Sequence, residues 1–136
     1  MRLSLAANYD MDLAHELGDY PVDEVYGKLP VDGMGGGRPS YMATPLSWED
    51  LAVYVKILAD QGIAFNYLLN ASCFGNREWG RRWQARLTRL LERLGAMGIG
   101  RVTVSTPYLL ELIKTRFPAF RVRVGIFAQV DTVQRA

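Results

Sequence analysis

Residues that bind metals or form disulfides are scarce in this sequence. Cys73 is the only cysteine and His15 the only histidine among 136 residues. A single cysteine excludes a disulfide within the chain and a Cys-x-x-Cys metal motif, and a single histidine excludes a histidine-rich zinc site. Without a disulfide framework, and with an N-terminal apolar run too short for a signal peptide, the sequence predicts a cytoplasmic protein.

Long apolar runs and a strong excess of one charge are also missing. No apolar run reaches the length of a transmembrane helix, so we expect no membrane partner. The 16 basic and 14 acidic residues leave a net charge of +2, which does not by itself indicate a polyanionic partner. With 49% hydrophobic residues, the chain can build one core. We therefore predict a single domain over residues 1–136.

A strand–helix–strand pattern occupies the middle of the chain. Residues 63–69 form a short apolar run, which is typical of a parallel strand covered on both faces. Apolar side chains then recur every three or four residues over positions 79–97, as on one face of a helix. They are Trp79, Trp83, Leu87, Leu90, Leu91, Leu94 and Met97. Gly98 favours an end to this helix and residues 102–104 favour another strand, so the segment predicts a right-handed βαβ unit.

The same alternation extends over the rest of the chain. We predict further strands at residues 3–7, 22–29 and 122–130, which gives about five in total. The fold class is therefore α/β, with parallel (β/α) repeats. Five repeats in simple order fit either a small open sheet or the N-terminal half of an eight-stranded TIM-type (β/α) barrel, which commonly needs about 250 residues.

Helix starts are marked by capping residues. The first helix is expected to place Leu13, Ala14 and Leu17 on its inner face. Ser47 begins a capping-box pattern, and Thr106 precedes a proline, so each favours the start of a further helix. Only the beginning of a fifth helix is present at the C-terminal end. A half-barrel would expose its edge strands beside an apolar interior face, so we expect closure by a missing C-terminal half or by a second copy in a homo-oligomer.

Several segments together resemble a known family. Asn70, Gln129 and Asp131 stand at predicted strand ends, which a bare βα repeat would not require. The segments are Val25-Tyr26-Gly27, Leu69-Asn70, the loop from Cys73 to Arg77-Glu78, the Gly-Ile-x-x-Val-Thr-Val-Ser strand of residues 98–105, the helix of residues 107–114, and residues 124–136. They resemble the N-terminal barrel half of the collagenase-like peptidases, peptidase family U-32.

The resemblance implies a TIM-type barrel in the intact protein and a hydrolase-type peptidase activity. Other proteins of this family act in oxygen-independent hydroxylation of quinone precursors or RNA bases with an iron–sulfur cluster, whose cysteines lie in the second barrel half. The resemblance therefore implies no cofactor in this chain, with a cluster only when a C-terminal half is present, and no activity of the chain alone. The alternative is a self-associating half-barrel that serves as a binding or structural module without catalysis.

In a barrel of this kind, the active site is built from loops at the carboxyl ends of the strands. The polar residues predicted at those ends are Asn8, Tyr26, Asn70, Cys73, Arg77, Ser105, Gln129 and Asp131. Such a rim suits a polar small-molecule ligand or an oxyanion. Asn8 and Asp131 are alternatively helix caps. Cys73 is either a nucleophile whose thiolate Arg77 stabilises or a small buried residue.

Two further features suggest anionic ligands. Gly35, Gly36, Gly37 and Arg38 form a glycine-rich loop whose N–H groups are a weak candidate for an anion site. The loop matches neither a dinucleotide-binding nor a P-loop motif, so a flexible lid or a tight chain crossing remains the alternative. Arginines also cover one side of the helix predicted over positions 79–97, which leaves RNA as a possible partner beside a simply solvated face. They are Arg81, Arg82, Arg86, Arg89 and Arg93.

Overall fold

The computed structural model describes residues 1–37 and 45–135, and its centre is one five-stranded sheet. The strands follow sequence order, and each neighbouring pair is parallel. They are β1 (Leu3–Ala6), β2 (Val22–Gly27), β3 (Ala64–Leu69), β4 (Arg101–Val104) and β5 (Arg121–Val124). The predicted α/β class with about five parallel repeats is confirmed.

Within the described residues, four α-helices connect these strands. They are α1 (Met11–Glu16), α2 (Trp48–Asp60), α3 (Arg81–Ala96) and α4 (Pro107–Arg116). Short 3-10 turns lie at Leu17–Asp19, Arg77–Trp79, Ile126–Ala128 and Val133–Arg135. Because right-handed crossovers between strands in simple order place every helix on the same side, the sheet has one helix-covered face, as in a TIM-type barrel.

The predicted caps are present at the starts of α2 and α4. Ser47 and Asp50 form a complete capping box at α2, in which each side chain accepts a hydrogen bond from the other residue's backbone N–H. The Thr106 side chain accepts from the N–H of Leu109 at the start of α4, directly before Pro107. These local signals explain why both helices begin where the sequence predicts.

The core lies between the helices and one face of the sheet. Val25, Tyr67 and Val102 point into it from adjacent strands, and each is at most 1% exposed. The helices contribute buried leucines at the predicted spacings. They are Leu51 and Leu58 in α2, Leu87, Leu90, Leu91 and Leu94 in α3, and Leu109 in α4.

Three predicted details are wrong. Trp79 is 68% exposed, because it lies in a 3-10 turn and α3 begins only after Gly80. Leu13 is exposed on α1, whereas Ala14 and Leu17 are buried as predicted. Strand β5 ends at Val124, because the chain then turns through Ile126–Ala128 instead of continuing along the sheet.

The opposite face of the sheet is polar, not apolar as expected. Register places Ser4, Glu24 and Asn66 on this face, followed by Thr103 and Arg123 on the later strands. We call it the inner face, because it would line the interior of a barrel.

Within the described residues, none of the helices combines the length and the hydrophobicity that a membrane span requires.

Candidate functional site

A cleft of about 290 Å³ opens at the carboxyl ends of β1, β2 and β3. Its walls include three of the predicted rim residues, Asn8, Tyr26 and Asn70, together with Tyr9 and Phe127. The three strands bring these residues together because parallel strands end at the same edge of the sheet. The cleft is close to the smallest volume typical of a small-molecule site, which is about 300 Å³.

The glycine-rich loop closes one side of this cleft. The side-chain oxygen of Asn70 accepts a hydrogen bond of 2.8 Å from the N–H of Gly37. A Cβ on Gly36 would lie 2.6 Å from the backbone nitrogen of Ala71, so only glycine fits this close crossing over the end of β3. The N–H of Gly37 is therefore already bonded within the chain, and the described part of the loop crosses closely over the end of β3. Arg38 lies outside the described residues.

A buried polar cluster also fixes the position of the glycine-rich loop. Lys28 and Asp32 form an ion pair of 3.0 Å, and their side chains are 6% and 2% exposed. The Lys28 ammonium also donates to the carbonyl of Gly35, and the hydroxyl of Tyr67 donates to Asp32 over 2.8 Å. The backbone N–H of Leu29 donates in turn to the Tyr67 hydroxyl. We call Lys28, Asp32 and Tyr67 the loop anchor.

The electrostatics of the anchor keep Tyr67 protonated. Burial raises the pKa of the Tyr67 phenol far above its ordinary value, and the adjacent negative charge of Asp32 raises it further. The phenol therefore remains a hydrogen-bond donor at all ordinary pH values. The glycine loop is in this way tied to the sheet by groups that water hardly reaches.

Cys73 and Arg77 lie on the far side of the loop. Together with Gly35, Gly36, Gly37 and Asn70 they line a shallow hollow of about 280 Å³. Cys73 is exposed, so it is not the small buried residue considered above, and its sulfur accepts a hydrogen bond from the N–H of Gly75. The Arg77 guanidinium donates to the carbonyl of Phe74.

The remaining rim residues belong to a separate and larger cleft. Ser105, Gln129 and Asp131 line a space of about 890 Å³ between the ends of β4 and β5. The Ser105 hydroxyl is buried and has no hydrogen-bond partner among the described residues. The predicted rim is therefore divided among two clefts and a shallow hollow.

The inner face carries an ionic network that the sequence analysis missed. Glu24 is 1% exposed and accepts hydrogen bonds from Ser4 over 2.8 Å, from Arg101 over 3.1 Å, and from Arg123. Arg101 also donates to Asp23 over 2.8 Å. Burial would raise the pKa of Glu24, but its hydrogen bonds, from Ser4 and Arg123 above all, outweigh burial and hold the pKa below its ordinary value.

A signal for this network is present in the sequence. Asn66 lies between the aromatic residues of β3, and β5 reads Arg-Val-Arg-Val. Alternation of polar and apolar residues marks a sheet with one polar face. It is unusual in parallel strands, which are normally apolar on both faces.

The described residues do not fit an iron–sulfur cluster. They contain a single cysteine, Cys73, whereas such clusters are commonly held by four thiolates. No group of three or more histidine, cysteine or acidic side chains that could hold a metal ion is found within residues 1–37 and 45–135.

Comparison with known proteins supports the resemblance drawn from the sequence. No family model matches the chain. An uncharacterized protease of Methanocaldococcus jannaschii, MJ1657, is 29% identical over 113 residues, which are 83% of this chain and 32% of that protein.

The fold also matches solved structures. The U32 peptidase Mk0906 superposes with a TM-score of 0.77 and 20% identity over 99% of this chain and 53% of its own. The structure of CpGH84B superposes with a TM-score of 0.57 and 10% identity, over 89% of this chain and 26% of its own. The chain thus spans about a third of its curated relative and about half of the U32 peptidase structure. In its fold it is similar to the U-32 peptidases, as the sequence motifs predict.

Proposed function

We propose that the chain forms the N-terminal part of the barrel of a U-32 peptidase-like protein, which binds peptide substrates at the carboxyl ends of its strands. The observation that carries the proposal is the superposition of nearly the whole chain on about half of a U32 peptidase. The similarity to an uncharacterized protease supports the same function class.

The cleft at the ends of β1, β2 and β3 is the proposed peptide site. Each peptide group of a substrate offers one donor and one acceptor. The Asn70 amide uses its oxygen to hold Gly37, and its NH2 group brings two donors of its own. The exposed rings of Tyr26 and Phe127 supply apolar contact for a substrate side chain.

We expect the chain alone to bind peptides without hydrolysing them. Catalytic residues in TIM-type barrels come from the ends of several different strands, and five strands supply only part of such a set. Cys73 is accessible, but the guanidinium of Arg77 is engaged with the Phe74 carbonyl. The iron–sulfur chemistry of other U-32 proteins is not proposed, because the described residues provide no ligand set for a cluster.

Nuclear magnetic resonance on the isotope-labelled chain tests this function. Titration with a synthetic collagen-type peptide should shift amide signals near Gly27, Gly37 and Asn70, while mass spectrometry should detect no cleavage. Asn70→Ala should weaken binding, whereas Lys56→Ala, on the exposed face of α2, should not. Absence of any shift would contradict peptide binding, and cleavage by the chain alone would contradict its inactivity.

A second candidate is a non-catalytic module in which two copies cover each other's open edges. The apolar side chains exposed after β5 favour it, because Ile126 and Val133 are 88% and 91% exposed. This candidate predicts a dimer in sedimentation experiments and no response to peptides.

A further inference from the structure

The outer edge of β5 is an unpaired strand edge. Within the described residues, β5 pairs only with β4, so its other side presents free backbone donors and acceptors. Of the twelve large hydrophobic residues that are exposed in the described part of the chain, five lie within positions 124–133, at the last residue of this strand or directly after it. Unpaired edges beside exposed apolar side chains mark surfaces that are covered by another strand.

The inner face carries an excess of positive charge, part of which lies at this edge. Ion pairs join two carboxylates, Asp23 and Glu24, to three guanidinium groups, those of Arg2, Arg101 and Arg123. Arg121 adds a fourth positive charge on β5 and has no ion pair among the described residues. The Arg123 side chain, although paired, remains 55% exposed. Strand β5 itself therefore carries two arginines and no acidic residue.

A second copy of the chain does not complement this charge. If β1 of another copy paired with β5, it would present Ser4 and Ala6 from its inner face, with Arg2 just before them. If two copies of β5 paired with each other, Arg121 and Arg123 would face the same arginines. Like charges at directly opposed positions destabilise strand pairing.

We infer that the β5 edge pairs with a strand that carries carboxylates at its inner-face positions, opposite Arg121 and Arg123. This strand belongs to the remainder of the barrel, so the inference rests on the proposed function and adds the chemistry of the joining strand. The carboxylates would balance the excess positive charge and give the pairing its specificity. The exposed apolar residues after β5 would be covered by the same polypeptide.

Short strand peptides test the inference directly. Three soluble peptides of alternating sequence would differ only in their polar positions, which hold glutamate, glutamine or lysine. The glutamate peptide should shift the amide signals of β5 and slow their hydrogen exchange. It should bind about tenfold more tightly than the glutamine peptide, because a single close charge pair can change the affinity by about this factor. The lysine peptide should bind most weakly.

Variants assign this difference to the two arginines. Arg121→Gln and Arg123→Gln should each reduce the preference for glutamate, and Arg116→Gln on α4 is the matched control. Arg121→Gln keeps the test interpretable if Arg123→Gln fails to fold, because Arg121 has no ion pair to lose. Equal affinity for the glutamate and glutamine peptides, no binding of the glutamate peptide, or a dimer of the chain would each overturn the inference. Signals of β5 are distinct from those of Asn70, so this result is independent of peptide binding in the strand-end cleft.

Discussion

Glu24 and Arg123 form an ion pair although 99 residues and two intervening strands separate them. Neighbouring strands are about 4.8 Å apart, so a flat sheet would place β2 and β5 about 14 Å from each other. An arginine and a glutamate span this separation most readily when the sheet curls toward its inner face. Curvature of this kind, as in a barrel, would bring the two side chains within reach of each other.

Glu24→Gln should destabilise the fold by about 2 kcal/mol. The change keeps the shape of the side chain but leaves Arg101 and Arg123 without their shared buried carboxylate. The loss stays moderate because both guanidinium groups keep part of their hydration. Urea unfolding measures the effect, with Glu111→Gln on the exposed side of α4 as the control. Equal stability of the two variants would show that the network contributes nothing.

Acid should weaken the fold through the same network. The hydrogen bond from Arg101 lowers the pKa of Asp23 from its ordinary value of 3.8, and the pKa of Glu24 is lowered, as described, from its ordinary value of 4.5. A carboxylate whose pKa is lower in the folded than in the unfolded state stabilises the fold fully at a pH above its unfolded-state pKa. This contribution is lost as the pH falls through its folded-state pKa. The contribution of these carboxylates to the free energy of unfolding should therefore be constant down to a pH near their ordinary pKa values. At lower pH the free energy of unfolding should decrease. The fall should be smaller in Glu24→Gln, and identical acid profiles would refute the assignment.

Gly36→Ala should cost more than Gly33→Ala. Both glycines have φ of +78°, but a Cβ on Gly33 meets nothing within 4 Å, whereas one on Gly36 meets the backbone of Ala71. Gly33→Ala then reports the cost of the left-handed backbone alone, about 1 kcal/mol. Gly36→Ala should add about 2 kcal/mol for the clash and break the hydrogen bond between Gly37 and Asn70. Thermal unfolding and the Asn70 side-chain amide signal measure both effects, and equal costs would contradict the close crossing.

Tyr67→Phe should cost about 2 kcal/mol, because it removes a donor to Asp32 and leaves the N–H of Leu29 without its acceptor. Tyr20→Phe, at an exposed position, is the control in urea unfolding. Tyr67 should also stay silent in an alkaline titration of the folded protein, since its pKa is raised. A phenol signal that Tyr67→Phe removes near the ordinary tyrosine pKa would contradict its burial.

Local patterns in the sequence predict most of the fold. Caps such as Ser47 and Thr106 act over a few residues, so their effect can be read without knowing the tertiary structure. The wrong prediction that Trp79 is buried also has a local cause, because the helical spacing of apolar residues begins at Trp79, before the actual start of α3 at Arg81.

The ionic network is different, because it depends on strand register. The partners of Glu24 come from β1, β3, β4 and β5, and only the pairing of the whole sheet brings them together. The loop anchor has the same character, since Tyr67 reaches Asp32 from a strand 35 residues away. The sequence offers the alternation of polar residues but not the identity of their partners.

The hydrophilic inner face has a consequence for biosynthesis under the proposed function. A nascent chain that has emerged as far as β5 would expose this face until the next strand leaves the ribosome. A half-barrel with an apolar inner face would aggregate at that stage, whereas the guanidinium and carboxylate groups of this inner face remain hydrated. The polar inner face would therefore keep an incomplete barrel in solution until the remaining strands have been synthesised.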